Sequence, residues 1–222
     1  MIDDNINHEY IIRYIRDTIR PKQGLLSELE KYAEENEVPI SQPETIKFIE
    51  VLIKLSRAKR ILEVGSAIGY SAICMAGAGA ETIDTIEIDP RTAELAKSNI
   101  EKAGYADKIR VHTGDAAEIL PLLVKDFSFG LMDKYDMIFI DAAKAQYGNF
   151  FEPCITLLNS GGALISDNVL YKGMTATDEL VLHRKRTIVK RLRDYLKTLC
   201  RDDRLDTSLL PLGDGVAVSF KI

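Results

Sequence analysis

Tyr135-Asp136-Met137-Ile138-Phe139-Ile140-Asp141 is the stretch that decides the fold. Met137 to Ile140 is an unbroken apolar run, the mark of a strand buried on both faces of a parallel sheet. It ends on an acid, and Lys144 follows three residues later. Further along, Ala163 to Ile165 is a second apolar run that also ends on polar groups, Asp167 and Asn168. Two neighbouring strands that deliver Asp, Asp and Asn at their carboxyl ends supply only oxygen ligands, a donor set for a hard cation such as Mg²⁺. Ligands of open α/β sheets gather outside the carboxyl ends of the strands. The chemistry is expected there.

Working outward, strands and helices alternate from Arg60 onward. The strand candidates are Arg60–Val64, Thr82–Ile88, Ile109–Thr113, Tyr135–Asp141 and Ala163–Ser166. One intervening helix opens with Asp89 as N-cap and Pro90 in its first turn. Regular alternation predicts a parallel, doubly wound α/β sheet. The rhythm breaks at the end, where Leu209–Leu212, the turn Gly213-Asp214-Gly215 and Val216–Phe220 read as a β-hairpin.

Upstream lies a helical preface. Ile6, Tyr10, Ile11, Tyr14 and Ile15 keep helical spacing until Pro21. Leu25, Leu26, Leu29, Tyr32 and Ala33 stripe a second helix. Ser41-Gln42-Pro43-Glu44 has the form of a capping box with Pro in the first turn, opening a third helix with Ile46, Ile49, Leu52 and Ile53. With no repeat or linker, residues 1–222 form one domain, a preface (1–58) and a sheet core (59–222).

A chain of 222 residues suits one α/β domain with a full core. The net charge of −5 argues against wholesale nucleic-acid affinity but leaves local patches open. Cys74, Cys154 and Cys200 are scattered without metal-like spacing, as reduced thiols of a cytoplasmic protein are. The start, Met1-Ile2-Asp3-Asp4, has no apolar leader, and no run approaches the ~20 residues of a membrane span. Neither feature suggests a membrane partner.

Glu63-Val64-Gly65-Ser66-Ala67-Ile68-Gly69 sits where the first strand turns into a helix. Gly65 and Gly69 are free to take positive φ and to let a ligand approach the backbone. The dinucleotide fingerprint G-x-G-x-x-G fails, because Ala67 holds its second glycine; this weighs against a nicotinamide oxidoreductase. Glu87, ending the second strand, stands where an acid binds ribose hydroxyls. Asp115 and Ala116 fall at the next carboxyl end, suited to an adenine edge. Glu63 is a poor neighbour for a pyrophosphate and a good one for an ammonium or sulfonium, a sign preference that favours S-adenosylmethionine over NAD.

Glu63-Val-Gly65-Ser-Ala-Ile-Gly69-Tyr70-Ser71, Ile86-Glu87-Ile88-Asp89, Gly114-Asp115-Ala116, Ile140-Asp141-Ala-Ala-Lys144 and Ser166-Asp167-Asn168-Val169-Leu170 together resemble the metal-dependent O-methyltransferases, the catechol and caffeoyl-CoA enzymes among them. The likeness spans nearly the whole chain. Val38-Pro39-Ile40, Asp141 to Tyr147, Asp167 to Gly173 and Pro211 to Gly215 look most like the bacterial branch that methylates 5-hydroxyuridine at the tRNA wobble position. The resemblance implies a Rossmann-like sheet of seven strands with the last antiparallel, and a homodimer. It implies cofactor contacts from Ile40, Ser41, Glu63, Gly65, Ser71, Glu87, Asp115, Ala116 and Asp141. It also implies a metal on Asp141, Asp167 and Asn168. Two departures stand out. The chain has no Trp where catechol enzymes wall their pocket with tryptophans, and Ala142 and Ala143 replace bulkier residues. Ser41 stands where relatives carry Met.

In the mechanism these residues suggest, the metal binds the substrate oxygen and lowers its pKa, and Lys144 takes the proton. For that the ammonium pKa must fall from about 10.4, pushed by a neighbouring cation and partial burial. Chelation wants two adjacent oxygens, which a catechol has and 5-hydroxyuridine has too. Each residue also has a plainer reading: Asp141 as a helix N-cap, Asp167-Asn168 as an Asx turn, Lys144 as a solvated lysine. The histidines receive no role. A helix from Val181 to Leu199 carries Arg186, Lys190, Arg193 and Lys197 in a stripe, with Arg184, Lys185 and Arg191 beside it. Such a stripe is either a solvated face or a set of phosphate contacts for the tRNA anticodon region, which Arg13, Arg16, Arg20 and Lys22 would extend.

Overall fold

A computed structural model describes residues 6–222; the acidic start Met1–Asp4 lies outside the described residues. Three helices precede the sheet, α1 (Glu9–Thr18), α2 (Leu25–Glu35) and α3 (Pro43–Ser56). Strands and helices then alternate: β1 (Arg60–Val64), α4 (Tyr70–Ala78), β2 (Thr82–Glu87), α5 (Pro90–Lys102), β3 (Ile109–Thr113), α6 (Ala116–Ser128), β4 (Tyr135–Ile140), α7 (Tyr147–Leu157), β5 (Leu158–Ser166) and α8 (Arg186–Arg201). The chain closes with β6 (Leu205–Leu210) and β7 (Val216–Lys221). The seven strands lie in the order β3-β2-β1-β4-β5-β7-β6. β1 to β5 run parallel, and β7 inserts antiparallel between β5 and β6. Fold class, strand number and the antiparallel last strand agree with the sequence reading.

The central strand explains why its sequence is apolar throughout. Met137, Ile138, Phe139 and Ile140 are all 0% exposed, and alternate residues serve opposite faces. Met137 and Phe139 pack with Ile46, Ile49, Ile53 and Ile73 beneath α3 and α4. Ile138 and Ile140 pack with Leu120, Phe150, Leu192 and Leu196 beneath α6, α7 and α8. Each such side chain contributes about 1.5–3 kcal/mol by leaving water.

Several local expectations change. α1 stops at Thr18, short of Pro21, and has no buried residue; Tyr10 and Tyr14 are more than two-thirds exposed. The capping box does not form: Gln42 is the N-cap of α3 without a side-chain bond, and Glu44 instead takes Arg16 in a two-pronged ion pair. Arg16 thus has a partner within the chain, and Lys22 likewise pairs with Glu50. β5 begins at Leu158 and β6 at Leu205, both earlier than the apolar runs suggest. α8 begins at Arg186, so Leu182 falls outside it and is exposed. Asp89 caps α5 as expected, accepting the Thr92 amide at 2.8 Å. Among the described residues no helix is long and apolar enough to cross a membrane.

Candidate active site

The carboxyl ends of β1, β2, β3, β4 and β5 open into one cavity of about 680 Å³. Ladder hydrogen bonds run past the strand ends and fix its floor. The Asp141 amide donates to Val64 O at 2.9 Å, and the Asp167 amide to Ile140 O at 2.9 Å. Asp141 and Asp167 are thus held side by side by backbone, with Asn168 beyond them in the left-handed region (φ 55°). Tyr147, fully buried, donates its hydroxyl to Asp167 O at 3.0 Å and props that strand end from below.

The two carboxylates oppose each other. Burial, then the neighbouring Asp141, push Asp167 up to about 8; burial likewise raises Asp141. Lys144, in a short 3-10 turn on the cavity rim, is close enough for its ammonium to act against both shifts. Ser41 donates its hydroxyl to Asp141 Oδ2 at 3.2 Å, which is what that side chain does in place of capping α3. Two buried carboxylates side by side, with Asn168 next along the same cavity wall, fit a hard cation. Among the described residues no cluster of three His, Cys, Asp or Glu side chains suited to a metal occurs. A cation there would need Asn168 and solvent or substrate oxygens beside the two carboxylates.

The other half of the cavity is made by the turns after β1, β2 and β3. The Gly65 and Ser66 amides both donate to Ile86 O at 3.0 Å. Gly65 (φ 105°) is required by its neighbours, because a Cβ there would stand 2.2 Å from Asp141 O. The close passage of two strand ends demands this glycine, whatever ligand approaches. Glu87 accepts the Ala67 amide on Oε2 at 2.9 Å and the Asp89 amide on Oε1 at 3.0 Å. Each oxygen accepts one backbone bond and so has acceptor capacity left, and Glu87 lines the cavity. Asp115 caps α6 by accepting the Ala117 amide at 2.8 Å.

Of the residues singled out from sequence, Ile40, Ser41, Gly65, Ser71, Glu87, Asp115, Ala116, Asp141, Lys144, Asp167 and Asn168 all line this cavity. Glu63 does not. It lies behind the wall, 0% exposed, with Thr85 donating to Oε2 at 2.5 Å and Oε1 without a partner. Burial pushes it up to about 7. Its side chain leaves the same face of the sheet as its cross-strand neighbour Thr85, one layer behind the cavity residue Ser71. Tyr147 is the contributor that sequence reasoning missed. Its only signal was a large residue at the start of the helix after the Asp141 turn.

The sheet order, with one cavity across the carboxyl ends, defines a Rossmann-like methyltransferase fold. Residues 18–222 match the family described as O-methyltransferase. A catechol O-methyltransferase of Niastella koreensis is 37% identical over 169 residues, covering 74% of this chain and 75% of that protein. A caffeoyl-CoA O-methyltransferase-like structure from Staphylococcus aureus is 34% identical, covers 96% of this chain and 100% of its own, and superposes with a TM-score of 0.86. An O-methyltransferase from Bacillus cereus in complex with SAH is 26% identical, covering 96% and 97%, with a TM-score of 0.82. The chain belongs to the O-methyltransferase family, the group that includes the catechol and caffeoyl-CoA enzymes, and is an enzyme that methylates oxygen.

Proposed function

We propose that the protein transfers the methyl group of S-adenosylmethionine, with Mg²⁺ or another divalent cation, to the 5-hydroxyl of 5-hydroxyuridine at the tRNA wobble position. The observation that carries the substrate assignment is the site's mouth. The cavity has no tryptophan wall, the small Ala142 and Ala143 stand on its rim, and α8, which packs on the Lys144–Gln146 turn of that rim through Arg191 and Ala145 O, carries exposed Arg186, Lys190 and Lys197, with exposed Arg184 just before it. A nucleotide carried on a polyanion needs such an opening beside such charge.

In this reading Glu87 accepts the ribose hydroxyls of the methyl donor. Asp115 and the Ala116 backbone meet its adenine, and Ser71 and Asp141 its amino-acid end. Asp141, Asp167 and Asn168 hold the cation, which when bound supplies Lewis acidity to two adjacent acceptor oxygens. Ser41 keeps Asp141 oriented, and Lys144 Nζ, once it has given up its own proton and stands as the free amine, takes the proton from the acceptor hydroxyl. The chain's own contribution is alignment: a hydroxyl held in line with the methyl group gains most of what proximity can give.

A second reading, a small catechol-like or CoA-linked phenol as acceptor, is favoured by the catechol and caffeoyl-CoA activities of similar proteins. Mass spectrometry of tRNA nucleosides separates the two. A strain lacking the gene should lose 5-methoxyuridine and accumulate 5-hydroxyuridine, and purified protein with S-adenosylmethionine and Mg²⁺ should restore the methylated nucleoside. An unchanged tRNA profile, with turnover of a catechol in vitro, would replace the first reading by the second.

A further inference from the structure

Beyond Asn168 the chain takes an unusual path. Asn168 (φ 55°), Tyr171 (φ 48°), Lys172 (φ 54°) and Gly173 (φ 74°) are all left-handed. For the three non-glycine residues this costs on the order of 1 kcal/mol each, and such conformations persist only where the surroundings over-determine them.

One side of the segment is held by the turn before β7. The Val169 amide donates to Gly215 O at 2.9 Å, the Leu170 amide to Asp214 O at 3.0 Å, and the Lys172 amide to Asp214 Oδ1 at 2.5 Å. Gly215 permits this contact, since a Cβ there would stand 2.3 Å from Leu170 Cγ. The other side is held from α8 by one side chain. Arg193 donates Nε to Thr175 O at 2.9 Å, Nη2 to Met174 O at 3.0 Å, and Nη1 to Asp178 Oδ1 at 2.5 Å. The sequence placed this arginine in the stripe of free cations; the structure shows its donors spent within the chain.

We propose that Arg193 is a positioning residue for the acceptor side of the site: it ties the 174–178 segment to α8 and so fixes the strained path that begins at Asn168. The helix beneath it is anchored on the sheet, because its inner residues Val189, Leu192 and Leu196 are buried. Three donors of one planar fork reach two carbonyls and a carboxylate, which a lysine cannot reproduce. The role rests on the cavity being the active site but not on RNA being the acceptor.

The test has one arm that needs no turnover. In Arg193→Gln, hydrogen exchange of the amides from 170 to 176 should quicken at least about tenfold while those of β4 keep their protection. With whichever small acceptor the wild type methylates, free 5-hydroxyuridine or a catechol, kcat/KM should fall roughly ten- to a hundredfold, the scale of a misplaced positioning group. Binding of the SAM product SAH should be unchanged. Arg193→Lys should give the same pattern more weakly, and it decides the matter by the same readings if the glutamine variant does not fold. Unchanged exchange in the segment overturns the clamp. Faster exchange with unaltered kcat/KM leaves Arg193 as a structural tie and overturns the positioning role. A loss confined to tRNA, with the small acceptor unaffected, returns Arg193 to the phosphate contacts and overturns the proposal as well.

Discussion

The two halves of the cavity are built by different means. Around β1, β2 and β3 the walls are backbone turns secured by local hydrogen bonds, such as Gly65 and Ser66 on Ile86 O and Glu87 on the Ala67 amide. Around β4 and β5 the wall residues, and the strained backbone that continues from Asn168, are secured from distant parts of the chain: Ser41 on Asp141, Tyr147 on Asp167 O, Asp214 on Lys172 and Arg193 on Met174 and Thr175. The first half is a preformed mould. The second depends on preface, hairpin and α8 all being in place, so the two should fail differently when disturbed.

The largest failure is expected in the second half. Asn168→Gly removes the amide while keeping a residue at ease with φ 55°, so the fold should stand. Turnover should fall by roughly 10²–10³-fold, the scale for losing one preorganised electrostatic group. SAH affinity should change little. Excess EDTA should mimic the loss and added Mg²⁺ reverse it. Full activity in EDTA would sink the metal assignment and with it the division of labour between the halves.

In the first half, Glu87→Ala should act on the methyl donor alone. A hydrogen bond to a charged group carries about 1.5–3 kcal/mol, so calorimetry should show SAH binding weakened by roughly ten- to a hundredfold. Part of that comes from loosening the Ala67 turn, which loses its carboxylate. Magnesium binding should be untouched. A variant that binds SAH normally would mean that the mould does not read the ribose at the end of β2.

Glu63 tests whether the mould is preformed at a price in stability. Its carboxyl is raised by burial to about 7. A raised carboxyl favours the folded state below the unfolded pKa, near 4.5, and that contribution is lost as pH rises through about 7. The glutamine variant has no such titration. The stability of Glu63→Gln relative to wild type should therefore rise between pH 5 and 8.5, by at most about 3 kcal/mol. A pH-independent difference would show that Glu63 is satisfied in solution by a partner its Oε1 lacks here.

The same contrast explains what could be read from sequence. The sheet was legible because Met137–Ile140 and its fellow strands carry their burial in local composition, and the mould because its glycines, N-caps and strand-end acids lie within a few residues of the atoms they serve. Even Asp141, Asp167 and Asn168 were visible as strand ends. The clamps were not. Nothing near Arg193 in sequence marks its attachment to Thr175, and the basic spacing of α8 gives the same signal for a clamp as for a solvated cation. Ser41 was misread as half of a capping box because Glu44 stands at the right interval, while long-range partners, Asp141 and Arg16, took both side chains. Glu63 differs from these: strand position announced an acid beside the cavity but not that it would be fully buried behind the lining residues.

The smallest expected effect separates the clamp from the rest of the helix that carries it. With Arg193 occupied, the members of the α8 stripe left for phosphates are Arg186, Lys190 and Lys197, all exposed. If they meet RNA, binding should weaken with salt by a log–log slope of up to about −0.7 per contact. Reversing Lys190 and Lys197 to Glu should raise the KM for tRNA several-fold and flatten that slope. The variant should keep its stability, since both side chains are on a solvated face. Turnover of a free nucleoside or catechol should not move, which is where this variant must differ from Arg193→Gln. Should the double reversal leave the tRNA KM and its salt dependence as they were, the outer face of α8 is solvated surface only. The acceptor half would then recognise its substrate through the cavity alone, and the case for a polyanionic substrate would lose its physical support.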